Sequence, residues 1–242
     1  MRALACLVFI ALAYAVQDAS VGKFPYQVSL RYDDKHDCGG SIINKRNILT
    51  AASCVDRFKN LDKLDKLKAH VGTNFLNESG DVYDIESVSI HEDYDIIRWY
   101  YIALVHLKTP IYYNELVQPI NLMTSDENLK DKSCTLTGWG SKNADVYYGE
   151  KLSNNLQEIE LSVYPQENCE RLWDAENTQI CTWTRKGAQA CNGNHYDTGS
   201  PLVANGFQIG IVSYFFPCAM GLPNVHTRVS SFLTWIMANL KN

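Results

Sequence analysis

Internal repeats, low-complexity stretches and polar linkers are absent from this 242-residue chain, which excludes solenoids and strings of tethered modules. Beyond the N-terminal segment no run of eighteen apolar residues occurs, so no internal membrane-spanning helix is expected. An excess of positive charge is also missing. Lys and Arg number 22 against 27 Asp and Glu, a net charge of −5, and this mild acidity argues against nucleic acid as the main partner. Metal-type cysteine spacing is lacking: no two of Cys38, Cys54, Cys134, Cys169, Cys181, Cys191 and Cys218 are separated by two to four residues. We expect no metal and no cofactor. Helical periodicity is scarce and appears only at the end of the chain, where Ser230 can cap a helix that carries Phe232, Trp235, Ile236 and Leu240 on one face. With 46% hydrophobic and 20% charged residues, the composition is that of one globular domain, or of two small subdomains sharing a core.

The first segment reads as a targeting signal. Arg2 precedes the apolar run Ala3 to Leu12, too short to span a bilayer, and Ala13-Tyr14-Ala15 has the small-x-small form of a signal-peptidase site. The expectation is a signal peptide over 1–15, a domain over 16–242, and a secreted, extracellular protein. A buried helix is the alternative for the first segment. Removing it takes away Cys6 and leaves an odd number of cysteines, seven, in an oxidising compartment where disulfides form.

Short alternating or apolar runs then recur between turn signals: Tyr26 to Leu30, Ile102 to Leu107, Gln157 to Leu161 and Gln208 to Ser213. They read as strands of an antiparallel barrel or sandwich. Asn77-Glu78-Ser79 is an N-glycosylation sequon in a polar, turn-rich stretch, which makes Asn77 a candidate glycan site.

Five motifs follow one another in order. They are Cys38-Gly39-Gly40-Ser41, Leu49-Thr50-Ala51-Ala52-Ser53-Cys54, Ile102-Ala103-Leu104, Leu136-Thr137-Gly138-Trp139-Gly140, and Asp197-Thr198-Gly199-Ser200-Pro201-Leu202-Val203. Together they resemble the chymotrypsin/trypsin family of serine proteases, particularly the insect chymotrypsin-like enzymes, from about Val21 to Asn242. The resemblance implies an all-β fold of two six-stranded antiparallel β-barrels with a C-terminal α-helix. The first barrel would span about 22–118, the second about 119–229 and the helix about 230–242.

The chemistry of that family needs a serine nucleophile, a histidine that takes its proton, and a buried aspartate that orients the histidine. Ser53 stands at the histidine position, directly before Cys54, and a hydroxyl is too weakly basic to serve as a base near neutral pH. Tyr101 stands at the aspartate position, directly before Ile102-Ala103-Leu104. Thr198 stands at the serine position, its hydroxyl crowded by a methyl group. All three triad positions are substituted, and none of the six histidines (His36, His70, His91, His106, His195 and His226) has the spacing of a replacement base; His195 alone lies near Thr198, and a rebuilt hydrolytic site is the alternative it leaves.

The resemblance also locates the oxyanion region. The family runs Cys-x-Gly directly into Asp-Ser-Gly, whereas here Asn194-His195-Tyr196 intervene. Tyr196 falls where the family uses a glycine N–H, in a conformation that a bulky residue adopts poorly. Losing one such donor costs about 2.7–4 kcal/mol in a well-characterised protease. The substrate pocket would have Gln189 at its floor, Ser213, Tyr214 and Phe215 along the strand that pairs with substrate, and Asn224 in its wall. Phe215 replaces a small mouth residue. It either obstructs the pocket or offers a new apolar contact.

Family pairing implies disulfides Cys38–Cys54, Cys169–Cys181 and Cys191–Cys218, each worth roughly 3 kcal/mol. It leaves Cys134 as a buried free thiol, because Ala204 stands where its partner would be. Active relatives insert a new N-terminal ammonium against the aspartate that precedes the serine. Here the aligned start is Ala13, and cleavage after Ala15 leaves the amine three residues short, about 10 Å. Asp197 is then expected to turn to solvent, or to find His195 or a backbone donor in the insertion, with loops 189–200 and 215–224 in a loose, zymogen-like state.

These readings lead to a non-proteolytic serine protease homologue that acts by binding proteins or peptides: protease inhibitors, protease substrates or cascade proteins. It is expected to be a monomer with no membrane partner. An endopeptidase with residual or unorthodox activity is the enzymatic alternative, and a drifting duplicate without a selected role is the third.

Overall fold

A computed structural model describes residues 16–58, 63–94, 102–126, 128–140, 152–183, 197–214 and 222–242. The described chain enters as a two-residue strand, β1 (Gln17–Asp18), laid along the outside of the second half of the molecule. Six strands follow: β2 (Gln27–Tyr32), β3 (Lys35–Ile42), β4 (Asn47–Thr50), β5 (Leu67–Val71), β6 (Asp81–Ile90) and β7 (Ala103–Leu107). They close into a barrel in the order β2-β3-β4-β7-β6-β5, and every described pairing in it is antiparallel. Asp33 and Asp34, with φ of 47° and 62°, join β2 to β3. Two consecutive positive φ angles match the right-handed strand twist of a two-residue hairpin, and Asp tolerates them through its short polar side chain.

The second half carries β8 (Asn121–Leu122), β9 (Ser133–Gly138), β10 (Gln157–Val163), β11 (Gln179–Trp183), β12 (Pro201–Ala204), β13 (Phe207–Tyr214) and β14 (Asn224–Arg228). Strands β9-β10-β11-β14-β13-β12 close on one another as the second six-stranded antiparallel barrel, with β1 added outside β10 and β8 lying parallel to β13. Asn205 and Gly206, with φ of 52° and 80°, form its matching hairpin turn between β12 and β13. Closure leaves neither barrel with a free long edge. Each barrel has its own apolar interior. Val28, Leu30, Ile48, Leu67 and Leu104 belong to the first, and Leu136, Ile159, Ile180, Leu202 and Val212 to the second.

Two helices complete the described chain. The C-terminal segment runs as a 3₁₀ turn, Val229–Phe232, into α2 (Leu233–Ala238). Val229, Phe232 and Ile236 join the core of the first barrel, so the chain leaving the second barrel clasps the first. Asn47 fastens the tail: its Nδ2 donates to Lys241 O at 2.7 Å and its Oδ1 accepts from Lys241 N–H at 3.0 Å. Ser230 does not cap the helix. It lies inside the 3₁₀ turn, and the residue before α2 is Phe232, which makes no side-chain cap. A second helix, α1 (Gln166–Trp173), lies where the sequence shows no helical period. Eight mostly polar residues give too few turns for a stripe to emerge, and Cys169 is its one buried residue.

Candidate functional site

The residues of the fifth motif form a turn wedged between the barrels. Ser200 N–H donates to Asp197 O at 2.9 Å, Gly199 N–H to Val212 O at 2.7 Å, and Gly39 N–H to Thr198 O at 2.8 Å. Gly199 has φ of +86°, and a Cβ there would stand 2.2 Å from Thr50 Oγ1 and 2.4 Å from Gly39 O. Only glycine fits that conformation and that space. The turn is thereby held by β3, β4 and β13 together. Thr198 is half-buried at its apex.

Ser53 sits on the opposite wall in the 3₁₀ turn Ala52–Cys54, exposed between two buried neighbours. The Cys38–Cys54 disulfide ties that turn to β3, and Cys54 Sγ lies 3.5 Å from Thr198 O. The structure therefore brings the positions of Ser53 and Thr198 to one place. Tyr101, Gln189, Tyr196, Phe215 and the side chain of Tyr214 lie outside the described residues, as do Cys191, Cys218 and His195.

Of the outcomes expected for Asp197, the solvent-facing one is not observed. Its side chain is buried, 5% exposed, and does not turn to solvent. Gly140 N–H, two residues past the end of β9, donates to its Oδ1 at 2.8 Å, while His195 and the insertion, the other expected partners, lie outside the described residues. The carboxylate lies against a cradle of two glycines: a Cβ on Gly138 would stand 2.0 Å from Oδ1, and one on Gly140 2.2 Å from Oδ2. The side chain enters because Gly138 and Gly140 leave room and an amide, which meets part of the desolvation penalty of a buried charge. Sequence reasoning missed this pairing, although the Gly-x-Gly spacing around Trp139 was its signal.

Of the expected pocket residues, Ser213 and Asn224 are described, and they face different partners. Thr227 Oγ1 donates to Ser213 Oγ at 3.0 Å. Asn224, half-buried on β14, is opposite Thr182 of β11. His226, two residues along the same strand, is 1% exposed and pairs its Nε2 with Thr182 Oγ1 at 2.8 Å. Burial pushes the His226 pKa down to about 4, so the ring is neutral at neutral pH.

The other described histidines are committed across the fold. His36 Nδ1 pairs with Ser29 Oγ at 2.8 Å and its ring packs on Trp139, centroids 5.1 Å apart. His70 Nδ1 donates to Ser79 O at 2.9 Å. His91 packs edge-on against Phe232 and at a tilt against Trp235. His106 lies between Asn47 Oδ1 and Ser89 Oγ, at 2.7 Å from each, and burial lowers its pKa to about 4.

Cys169 and Cys181 are bonded, joining α1 to β11. Cys134 is a free thiol on β9, 2% exposed, and burial raises its pKa to about 12, which keeps it protonated and slow to react. Asn77 is exposed in the loop between β5 and β6. Among the described residues no cluster of three or more His, Cys, Asp or Glu side chains could hold a metal ion, and no helix is long and apolar enough to cross a membrane.

Comparison with known proteins agrees with this geometry. Residues 14–236 match the family model described as Trypsin. The chain is 46% identical over 225 residues to Chymotrypsin-2 of Vespa crabro, covering 92% of this chain and 97% of that one. It is 33% identical to Hypodermin-B of Hypoderma lineatum, covering 93% and 86%, and 32% identical to the clotting factor G beta subunit of Tachypleus tridentatus, covering 90% and 76%. Among solved structures, neuropsin, a serine protease expressed in the limbic system of mouse brain, superposes with a TM-score of 0.79 at 24% identity, covering 93% of this chain and 99% of that one, and so shares the fold. Two closed barrels meeting at the Asp197–Ser200 turn, and a family match over nearly the whole length, lead to one assignment: the chain belongs to the trypsin family of chymotrypsin-like serine proteases.

Proposed function

We propose that this family member is secreted, has lost proteolysis and acts by binding proteins or peptides that its active relatives also meet, as a decoy or a regulator of extracellular proteolysis. The observation that carries the reading is Ser53. It occupies the wall that faces the Asp197–Ser200 turn, bonded through Cys54 to β3, and it supplies a hydroxyl where the family's mechanism requires an imidazole. The five described histidines engage other partners, and among the described residues none stands as a base beside Thr198. Tyr101 in place of the orienting carboxylate and the three-residue insertion before Asp197 weaken catalysis further. The two-barrel fold of the family is kept, and a scaffold of that kind supports the binding reading. Affinity capture from the native secretion, with the purified chain as bait, tests the reading. A single stoichiometric protease inhibitor, substrate or cascade protein supports it, and capture of none contradicts it.

A residual endopeptidase is favoured by one observation. The turn that presents Thr198 is fully built, with Gly199 in its left-handed conformation and the Thr198 carbonyl held by Gly39 N–H. A threonine hydroxyl on that turn has the position of a nucleophile without a described base.

A further inference from the structure

The sequon at Asn77-Glu78-Ser79 plays no part in the reading above, and the fold gives it a distinctive setting. The loop that carries it, between β5 and β6, is folded around a side chain. Arg31, 4% exposed, reaches up from β2 and donates to Leu76 O at 3.0 Å, Glu78 O at 2.9 Å and Phe75 O at 3.4 Å, while its Nε donates to Ser29 Oγ at 3.1 Å. Three carbonyls gathered on one guanidinium turn the peptide oxygens inward. Asn77, Glu78 and Ser79 are all exposed. Glu78 Oε2 is drawn back to Thr73 Oγ1 at 3.2 Å, and among the described residues no hydrogen bond engages the Asn77 side-chain amide.

The same loop spans the boundary between the two barrels. Leu76 N–H donates to Asn154 O at 2.9 Å, Asn77 N–H to Asn154 Oδ1 at 2.9 Å, and Leu156 N–H to Asn74 O at 2.7 Å, and Phe75 bridges Asn155. The loop carrying Asn77 therefore lies against Asn154–Leu156, and Leu152, two residues before Asn154, is 36% exposed.

We propose that Asn77 carries an N-linked glycan that shields the Leu152–Asn155 stretch at the barrel seam. The inference rests on the secretory part of the reading above. In the transfer, the Asn77 amide nitrogen bonds to the anomeric carbon of an oligosaccharide carried on a lipid pyrophosphate. The bond from that carbon to the pyrophosphate oxygen breaks, the pyrophosphate leaves with the electron pair, and the amide gives up one proton. No oxidant or reductant is needed. The product keeps the backbone bond of Asn77 to Asn154, because only the free side chain is modified.

The test is expression in secretory eukaryotic cells under two leaders, the native 1–15 segment and an unrelated signal peptide of known function. Intact mass is read with and without peptide-N-glycosidase, beside the variants Asn77→Gln and Ser79→Ala. The expected result is a glycan mass on the wild-type chain, lost on enzyme treatment and absent from both variants. A wild-type chain that is secreted through the unrelated leader without glycan overturns the proposal. Failure of the native leader alone, with glycan present under the other, counts against secretion and leaves the glycan supported. The shielding is read by limited digestion with chymotrypsin: cleavage after Leu152 should be several-fold faster in Asn77→Gln than in the glycosylated chain. Equal rates, with both proteins melting at the same temperature, would overturn the shielding.

Discussion

Ala204→Cys should create a disulfide with Cys134. In the β9–β12 ladder Leu202 is opposite Leu136 and Val203 is opposite Thr135. Extending that antiparallel register by one residue places Ala204 opposite Cys134. Both side chains are 2% exposed and belong to the same core cluster of the second barrel. Directly opposed antiparallel residues have Cα atoms about 4.5–5.5 Å apart, inside the range a disulfide spans. The bond would close a loop of about 70 residues, and restricting the unfolded chain to that extent is worth about 4 kcal/mol. Placing a sulfur where a methyl group now packs costs about 1–3 kcal/mol. The net gain is about 2 kcal/mol, a rise in Tm of about 5 °C for a chain of this length. The assay is thermal unfolding without reductant, combined with thiol counting on the unfolded protein. The wild-type count should fall by one thiol in the variant. A count that rises by one, or a lowered Tm, would show that the register or the packing around Cys134 is misjudged.

The remaining predictions concern charge, the aspartate cradle and catalysis. His226 has its pKa lowered to about 4 against 6.5 in the unfolded chain, so the unfolded state binds the extra proton between those values. Its contribution is complete above about pH 6.5 and is lost as pH falls toward 4, a decline of about 3 kcal/mol; urea unfolding at pH 7 and pH 4.5 should show a smaller decline in His226→Phe than in wild type. Gly140→Ala would set a methyl group 2.2 Å from Asp197 Oδ2 and should cost about 3 kcal/mol, read as a lowered urea midpoint; an unchanged midpoint would mean the carboxylate has room to move. The combined variant Ser53→His, Tyr101→Asp, Thr198→Ser should remain a poor peptidase because the insertion Asn194 to Tyr196 persists, and near-normal peptide hydrolysis would show that the insertion is harmless.

Much of the fold was visible in the sequence because strand period and motif order point the same way. The run Ile102 to Leu107 falls on β7 (Ala103–Leu107), and Gln157 to Leu161 opens β10 (Gln157–Val163). The short elements were not visible. β1 and β8 have two residues each, below any periodic signal, and both exist through pairing with distant strands. α1 was hidden by its polar sequence, and its anchor is a disulfide to β11. At the site, the positions of Ser53 and Thr198 followed from their neighbours, since Cys54 and Gly199 impose the local geometry. The glycine cradle of Asp197 did not follow, because one of its donors and its space come from Gly138 and Gly140, 57 residues away for the Gly140 amide. Long-range polar pairs such as Ser41 with Gln208 and Thr137 with Gln27 were equally silent, since each partner alone reads as an ordinary strand residue.

The proposed loss of proteolysis is tested most directly by covalent labelling with an organophosphonate serine-hydrolase probe, followed by peptide mapping of the purified chain. If Ser53 holds the place of the base and Thr198 that of the serine, as proposed, no probe adduct should form on the Asp197–Ser200 turn, under conditions in which an active chymotrypsin labels fully. Stoichiometric labelling at Thr198 would contradict the account.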